Sequence, residues 1–422
     1  MSKGLEERKI KVLLLSRYFP PDIGTSANLF FDLASSLKRK GHEVTVVAGY
    51  PWYNLETIPK EFRKGFFKTD FNFGIKIIRV RMPIFRSVKI NLAAGHVLAP
   101  LARLLGGLRC SNVEAIYVYS PPLLIGLAGR ILAWKMKAIL VLGVQDLHPQ
   151  AYIDQGVLSN ALLIRIFRSV EKWTYLFSDA ITVHSEGNRQ HVVGVVPSKL
   201  ESVKVVPNWV DTTTVVPLPK RNSFSERLGL NEKFVVGYAG TIGLSQGVEC
   251  IIDVAFALKE KKEIHFLLVG SGVEKTSIVK KSRDAGLDNI TFLGMQPQEQ
   301  YPYVVASFDV ALVTLNSRVK TPVIPSKIIS LMAAERPFVA SLPEGDAADL
   351  VRLAGSGIVV PPDLPHKLVT AILRLYENPE TRQLLGRSGR QYVEENLTAE
   401  DAAQSIQSIF TSAKKINEVI SL

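Results

Sequence analysis

Pro325, Ser326 and Lys327 stand directly before the apolar run Ile328, Ile329, Leu331 and Met332. Proline at the mouth of a helix is unexceptional, since its missing N–H would have had no intrahelical partner. A serine and a lysine there carry chemistry. The first turn of a helix presents unpaired N–H groups at the positive end of its dipole, and so it attracts anions. A lysine in that turn works against the helix unless an anion sits opposite. The alternative is a plain capped helix with a solvated lysine. Glycines mark other strand-to-helix turns: Gly24, then Gly237, Gly240, Gly243 and Gly247, then Gly270 and Gly272. Glycine permits positive φ and lets a backbone amide approach a phosphate. Three such clusters together with Ser326-Lys327 point to a phosphate-bearing ligand. No G-x-G-x-x-G joins the first strand to its helix, which counts against a nicotinamide enzyme. No Asp-x-Asp or His/Asp/Glu cluster marks a metal site, and no cofactor is expected.

The elements that must hold these residues are legible in outline. At 422 residues the chain is long for one core and suggests two or three domains. A hydrophobic content of 47% with 21% charged residues is that of a globular protein. Two cysteines, Cys110 and Cys250, build neither a disulfide framework nor a zinc site, so a reducing compartment is expected. The N-terminus has too short an apolar stretch for a signal peptide, and no run is long enough to span a bilayer. The expected location is the cytoplasm or the inner face of the cytoplasmic membrane. A net charge of +12 favours polyanionic partners. Without a zinc finger, an RNP aromatic pair or a basic region joined to heptads, nucleic acid is not expected. Residues 85–109, "FRSVKINLAAGHVLAPLARLLGGLR", mix apolar side chains with Arg86, Lys89, Arg103 and Arg109. This stretch, broken at Pro100, reads either as a membrane-interface segment or as a core helix pair with snorkelling arginines.

Strand and helix signals alternate from "KIKVLLLS" to "AITVHS", stop at the proline- and threonine-rich stretch 205–222, and resume from "FVVGYAGTIG". The order predicts right-handed βαβ crossovers and two doubly wound parallel sheets. The expected domains are residues 1–206, a linker 207–222, residues 223–400 and a helical tail 401–422. Ligands of such sheets bind outside the carboxyl ends of the strands.

The landmarks "YFPPDIGTSANLFFDLASSLKRKGHEVTVVAGYPWY", "VQDLHP", "VVPNWVD", "GYAGTIGLSQGVE", "LLVGSG", "ITFLGMQP" and "IPSKIISLMAAERPFVAS" occur in this order. The ordered set resembles the GT-B-fold glycosyltransferases of the retaining family 4 (group 1), and within them the WbuB-like branch of surface-polysaccharide sugar transferases. The resemblance implies two Rossmann-like domains facing a cleft, with the C-terminal helix packing back on the N-terminal domain. It implies metal-independent transfer of a sugar from a nucleotide-diphospho-sugar, of UDP type, to a glycan or polyprenyl-diphosphate-linked acceptor beside an anionic membrane. On the donor side it places Gly240, Thr241 and Gly243 near the phosphates and sugar, Gly270 and Gly272 beside the nucleotide, and Gly294 and Met295 at the base. Ser326 and Lys327 would meet the diphosphate and Ser330 the ribose. On the acceptor side it places Gly24, Thr25 and Asn28, with Asp146 near the acceptor as catalytic base or positioning group. Asp146 also reads as an N-cap. His148 reads as a packing or acceptor contact, and His184 as a weaker candidate.

Departures from the family pattern matter. The family's two glutamates separated by seven residues correspond to Pro322 and Ser330, and its arginine and lysine after the first strand of the second domain to Thr241 and Gln246. Glu335 and Gln150 also differ from the usual residues. Arg318 and Lys320 are the nearest replacements for the missing cations, or else a solvated loop. A second reading is a catalytically impaired nucleotide-sugar-binding partner of a membrane glycan assembly complex. A nucleotide-sugar 2-epimerase would need an acidic and histidine cluster that the sequence lacks.

Overall fold

The computed structural model describes residues 9–53, 55, 57–83 and 88–420. The first of two compact units comprises Met1–Gln150, Leu158–Pro207 and Ala399–Leu422. It opens with β1 (Lys11–Leu15), α1 (Thr25–Arg39) and β2 (Glu43–Gly49). There follow β3 (Phe67–Asn72), β4 (Ile75–Val80), α2 (Val88–Gly107), β5 (Ala115–Ser120), α3 (Leu124–Met136) and β6 (Ile139–Val144). After the short α4 (Gln150–Asp154), which belongs to the second unit from Ala151 on, come α5 (Ala161–Leu176), β7 (Ala180–Val183), α6 (Glu186–Val195) and β8 (Val203–Val205). The eight strands lie in the order β3-β4-β2-β1-β5-β6-β7-β8, parallel except for β3 at the edge. ILVLGV and, after Lys11, KVLLL are continuously apolar and buried because helices cover both faces of the sheet. The edge hairpin escaped the sequence reading. Its two-residue turn, Phe73-Gly74, needs positive φ at both positions, and Phe73 is an unusual residue to adopt it.

The chain was expected to break at Pro100, but α2 runs through it unbroken. A proline removes one helical hydrogen bond, and packing outweighs that loss. Gly106 and Gly107 bring α2 so close that added methyls would stand 2.5 Å from Val47 and 2.3 Å from Leu132. Arg86 of that stretch lies outside the described residues.

The second unit comprises Ala151–Val157 and Asn208–Thr398. Its elements are α7 (Ser223–Arg227), β9 (Phe234–Ala239), α8 (Glu249–Ala257), β10 (Ile264–Val269), α9 (Lys275–Asp284) and β11 (Ile290–Leu293). They continue with α10 (Tyr301–Ala306), β12 (Val310–Thr314), α11 (Ser326–Ala333), β13 (Phe338–Ser341) and α12 (Asp346–Leu353). The unit ends with β14 (Gly357–Val360), α13 (Pro365–Glu377) and α14 (Pro379–Asn396). The sheet is wholly parallel, in the order β11-β10-β9-β12-β13-β14. Strand order reverses between β9 and β12, which pair only at Val236–Val310 and Gly237–Ala311. Beyond Gly237 they part, and this opens the crevice at which doubly wound sheets bind ligands.

The last helix, α15 (Ala399–Ile420), returns to the first unit and packs on α1. Ala403, Ile406 and Phe410 are buried there, and Glu400 takes hydrogen bonds from Ser36 and Arg39.

Candidate active site

In the second unit, Gly240 ends β9 at φ +144°, a conformation side chains rarely adopt, and its N–H donates to the Val269 carbonyl at 2.9 Å. Gly270 closes on it from the end of β10: a methyl there would stand 1.8 Å from the Gly240 carbonyl oxygen. The Ile242 N–H donates to the Ser271 carbonyl at 2.9 Å, and a methyl on Gly272 would stand 2.1 Å from the Ile242 oxygen. The two loops are laced backbone to backbone with no room for a side chain. From the end of β12, Asn316 joins them, donating its N–H to Ser245 and its Nδ2 to the Leu244 carbonyl. Thr241 supplies its carbonyl to the Tyr238 hydroxyl at 2.6 Å, and Gly243 packs beside Gln246. Lys275 ties the third loop in, its Nζ donating to the carbonyls of Gly270 at 2.8 Å and Leu293 at 2.6 Å.

The N-terminus of α11 belongs to the same cluster. Pro325 caps it without a side-chain hydrogen bond, and no acidic residue occupies its first turn. Lys327 Nζ is buried, lies 3.8 Å from the centroid of the Tyr238 ring and has no hydrogen-bond partner among the described residues. It lies 3.1 Å from where a Gly240 side chain would begin, so only glycine leaves it this space. Burial drags its pKa from 10.5 down to about 7. Ring and helix dipole act in opposite directions on it. The π face attracts the cation, whereas the positive end of α11 repels it. A lysine and a helix N-terminus thus converge at one point, an arrangement able to hold a polyanion, while the N–H groups of Gly240 and Ile242 are already donated within the loops.

Gly240, Thr241, Gly243, Gly270, Gly272, Ser326 and Lys327 thus fall in one cluster. Ser330 lies one turn further along α11, its hydroxyl hydrogen-bonded with Tyr301, whose phenol burial pushes up to about 12. Gly294 is exposed and Met295 half-buried on the loop after β11. Arg318 and Lys320 are exposed between β12 and α11. Tyr238, Lys275, Asn316 and Tyr301 were not singled out from the sequence. Their partners lie as much as 89 residues away, and no local pattern marks such contacts.

In the first unit, Gly24 precedes α1 against the Tyr53 ring, Thr25 is exposed, and Asn28 Oδ1 is buried without a hydrogen-bond partner among the described residues. Asp146 follows β6, and its carbonyl accepts the His148 N–H at 3.0 Å. The residue has an exposed surface, yet crowding by the surrounding loops raises its carboxyl pKa, with nearby His184 opposing the rise. The Tyr119 hydroxyl links this loop to α1: it is hydrogen-bonded with Ser26 and within electrostatic reach of Asp146. His148 is buried, and burial holds its pKa down to about 4, so its imidazole is uncharged at neutral pH. Its ring faces that of His96 at 6.3 Å. His184 Nε2 lies 3.1 Å from the Gln145 carbonyl and 2.9 Å from Asn188 Nδ2. Among the described residues no three His, Cys, Asp or Glu side chains gather as a metal site would require.

Comparison with known proteins accords with this arrangement. Residues 24–209 match a glycosyl transferase 4-like domain, and residues 220–392 match the glycosyl transferases group 1 family. The chain is 24% identical over 272 residues to the probable glycosyltransferase WbjE of Pseudomonas aeruginosa, covering 64% of this chain and 68% of that protein. It is 23% identical over 338 residues to the putative colanic acid biosynthesis glycosyl transferase WcaI of Escherichia coli, covering 77% and 81%. Among solved structures, Anabaena HepE in complex with UDP and glucose superposes with a TM-score of 0.71 at 17% identity, over 96% of this chain and all of that one. Sucrose-phosphate synthase of Thermosynechococcus elongatus superposes at 0.75 and 18%, over 97% and 100%. With glycosyl transferase models matching both halves of the chain and two Rossmann-like sheets, the chain belongs to the group 1 glycosyltransferases of GT-B fold.

Proposed function

We propose that this glycosyltransferase moves a sugar from a UDP-sugar, with retention of configuration, to a glycan or polyprenyl-diphosphate-linked acceptor in surface-polysaccharide assembly, as a member of the WbuB-like branch. The observation that carries the proposal is Lys327. A buried lysine without a hydrogen bond is costly to keep, and its position over Tyr238 beside Gly240 suits a diphosphate. As the glycosyl–phosphate bond breaks, the sugar gains positive charge and the departing UDP negative charge. Lys327 and the α11 N-terminus would stabilise the latter, with no metal required for that task. The UDP complexes of HepE support the choice of nucleotide. Asp146, raised toward neutrality, suits a group that receives or orients the acceptor hydroxyl.

Contact with the inner face of the cytoplasmic membrane is part of the proposal. Among the described residues no helix is long and apolar enough to cross a membrane. Instead, neighbouring helices of the first unit expose large apolar side chains: Leu101 and Leu105 of α2, Ile131 and Trp134 of α3, Leu162 and Trp173 of α5. Arg165, Arg168 and Lys172 are exposed on α5 among them. Apolar anchors, tryptophans and cations together are the composition of an anionic lipid interface.

The test is a screen of UDP-sugars for UDP release by the purified protein, with and without membrane lipid extract, repeated with Lys327→Ala. Lipid-dependent release from one donor, lost in the variant, is the expected result. Binding of UDP-sugars without turnover on any acceptor would replace the proposal with the impaired binding partner. Pro322 and Ser330, standing where relatives carry glutamates, already lend that reading some support.

A further inference from the structure

A second cationic pocket lies in the first unit, apart from Lys327. It encloses about 310 Å³ at the carboxyl ends of β1, β2 and β4, and Arg17, Arg63, Arg81 and Arg103 line it together with Trp52 and Phe62. No aspartate or glutamate is among its lining residues, and none of the four guanidinium groups pairs with a carboxylate among the described residues. The two nearby acids are already engaged. Asp22 accepts the backbone N–H groups of Phe19, Trp52 and Tyr53, and Asp70 pairs with Arg79.

Arg103 is 1% exposed and donates to the carbonyls of Ser16 at 2.8 Å and Arg17 at 2.7 Å and to the Met82 sulfur at 3.1 Å, none of them an anion. Arg17 is half-buried, and its Nε is enclosed with no hydrogen-bond partner among the described residues. Gly95 of α2 makes room for that guanidinium, since a methyl there would stand 2.6 Å from it. Four like charges around one small concavity repel one another, and an anion brought from outside would relieve that repulsion. Guanidinium forks bind phosphoryl oxygens bidentately. We propose that this pocket holds the phosphate or diphosphate group of the sugar acceptor. A lipid-borne diphosphate would seat its phosphoryl groups in this pocket and leave its tail outside. A soluble sugar phosphate offers the same phosphoryl chemistry without the tail.

The inference rests on the transferase reading, and the experiment separates the two. Binding of inorganic pyrophosphate is measured by calorimetry with UDP saturating, so that the Lys327 site is filled, and again in a Lys327→Ala background. Wild type is compared with Arg17→Ala and with Arg17→Ala/Arg81→Ala. UDP affinity and melting temperature report on the fold. The expected result is pyrophosphate binding weakened at least tenfold by Arg17→Ala and further by the double substitution, with UDP affinity unchanged. Vesicles containing a polyprenyl diphosphate should bind more tightly than the same vesicles without it, and lose that advantage in the double variant. If pyrophosphate binding falls but the vesicles show no difference, the anion is carried by a soluble sugar phosphate. Pyrophosphate binding that is absent, or indifferent to both substitutions while UDP binds normally, overturns the pocket. Failure of UDP to bind, with the arginine effect intact, overturns the UDP-sugar donor alone.

Discussion

Lys327 sets two pH dependences of opposite consequence. Its pKa falls from 10.5 to about 7 on folding. Between those values the unfolded chain holds a proton that the folded chain lacks, so stability rises with pH across the window and the buried ammonium is a cost below it. Lys327→Met should therefore melt several degrees higher than wild type near pH 6, and the gain should shrink toward pH 10. At about 1.4 kcal/mol per pKa unit, and with the Tyr238 ring returning part of the cost, ~1–3 kcal/mol is expected. A melting point at pH 6 equal to wild type would show that the amine is solvated. Nucleotide binding runs the other way. A diphosphate favours the ammonium, so above pH 7 each binding event must take up a proton. UDP affinity should fall about tenfold per pH unit there. Calorimetry in buffers of different ionisation enthalpy should register close to one proton taken up at pH 8. Ser326 and Lys327 were visible in the sequence because proline, serine and lysine before an apolar run are a local pattern. Tyr238, which holds the amine, was not, and neither was Tyr301 at the Ser330 hydroxyl, because tertiary packing alone brings them there.

At the scale of elements, the strands were legible because buried parallel strands are continuous apolar runs bounded by glycine or proline. What stayed hidden depended on contacts between elements: the β3–β4 hairpin with Phe73 in its turn, and the passage of α2 through Pro100. The glycines show the same division. All read alike in the sequence, yet Gly270 lies against the Gly240 carbonyl and Gly294 has no atom within 4 Å of an added methyl. Gly270→Ala should prise apart the loops after β9 and β10, lowering the second unit's melting temperature and weakening UDP binding by more than tenfold. Gly294→Ala should change stability by less than about 0.5 kcal/mol. Equal behaviour of the two variants in thermal melts would contradict the lacing of these loops. In the first unit, α15 covers α1 with Phe410 at 2% exposure. Phe410→Ala should cost about 3–5 kcal/mol in denaturant unfolding. A loss below about 1 kcal/mol would mean that α15 does not belong to that unit's core.

For the molecule as a whole, the net charge of +12 announced an anionic partner without saying where it docks. The sequence pointed at residues 85–109 alone. Helices α3 and α5 escaped notice because leucines and tryptophans at helical spacing ordinarily read as core, whereas here Trp134 is 78% exposed, Leu162 65% and Trp173 54%. An apolar surface with cations along α5 should bind bilayers through two separable contributions. Arg165, Arg168 and Lys172 supply the electrostatic part, worth about 1 kcal/mol per cation near an anionic surface and screened over a Debye length of about 8 Å at physiological salt. Replacing all three with alanine should lower partitioning onto vesicles rich in anionic lipid by ~100-fold and flatten its salt dependence. Trp134→Ala/Trp173→Ala should weaken partitioning too but leave the salt dependence as steep as before, since it removes apolar burial and no charge. Co-sedimentation across a salt series resolves the two patterns. Partitioning that ignores salt and survives both sets of substitutions would move the membrane contact off this face, and the charge would then have to act at the phosphate-binding sites instead.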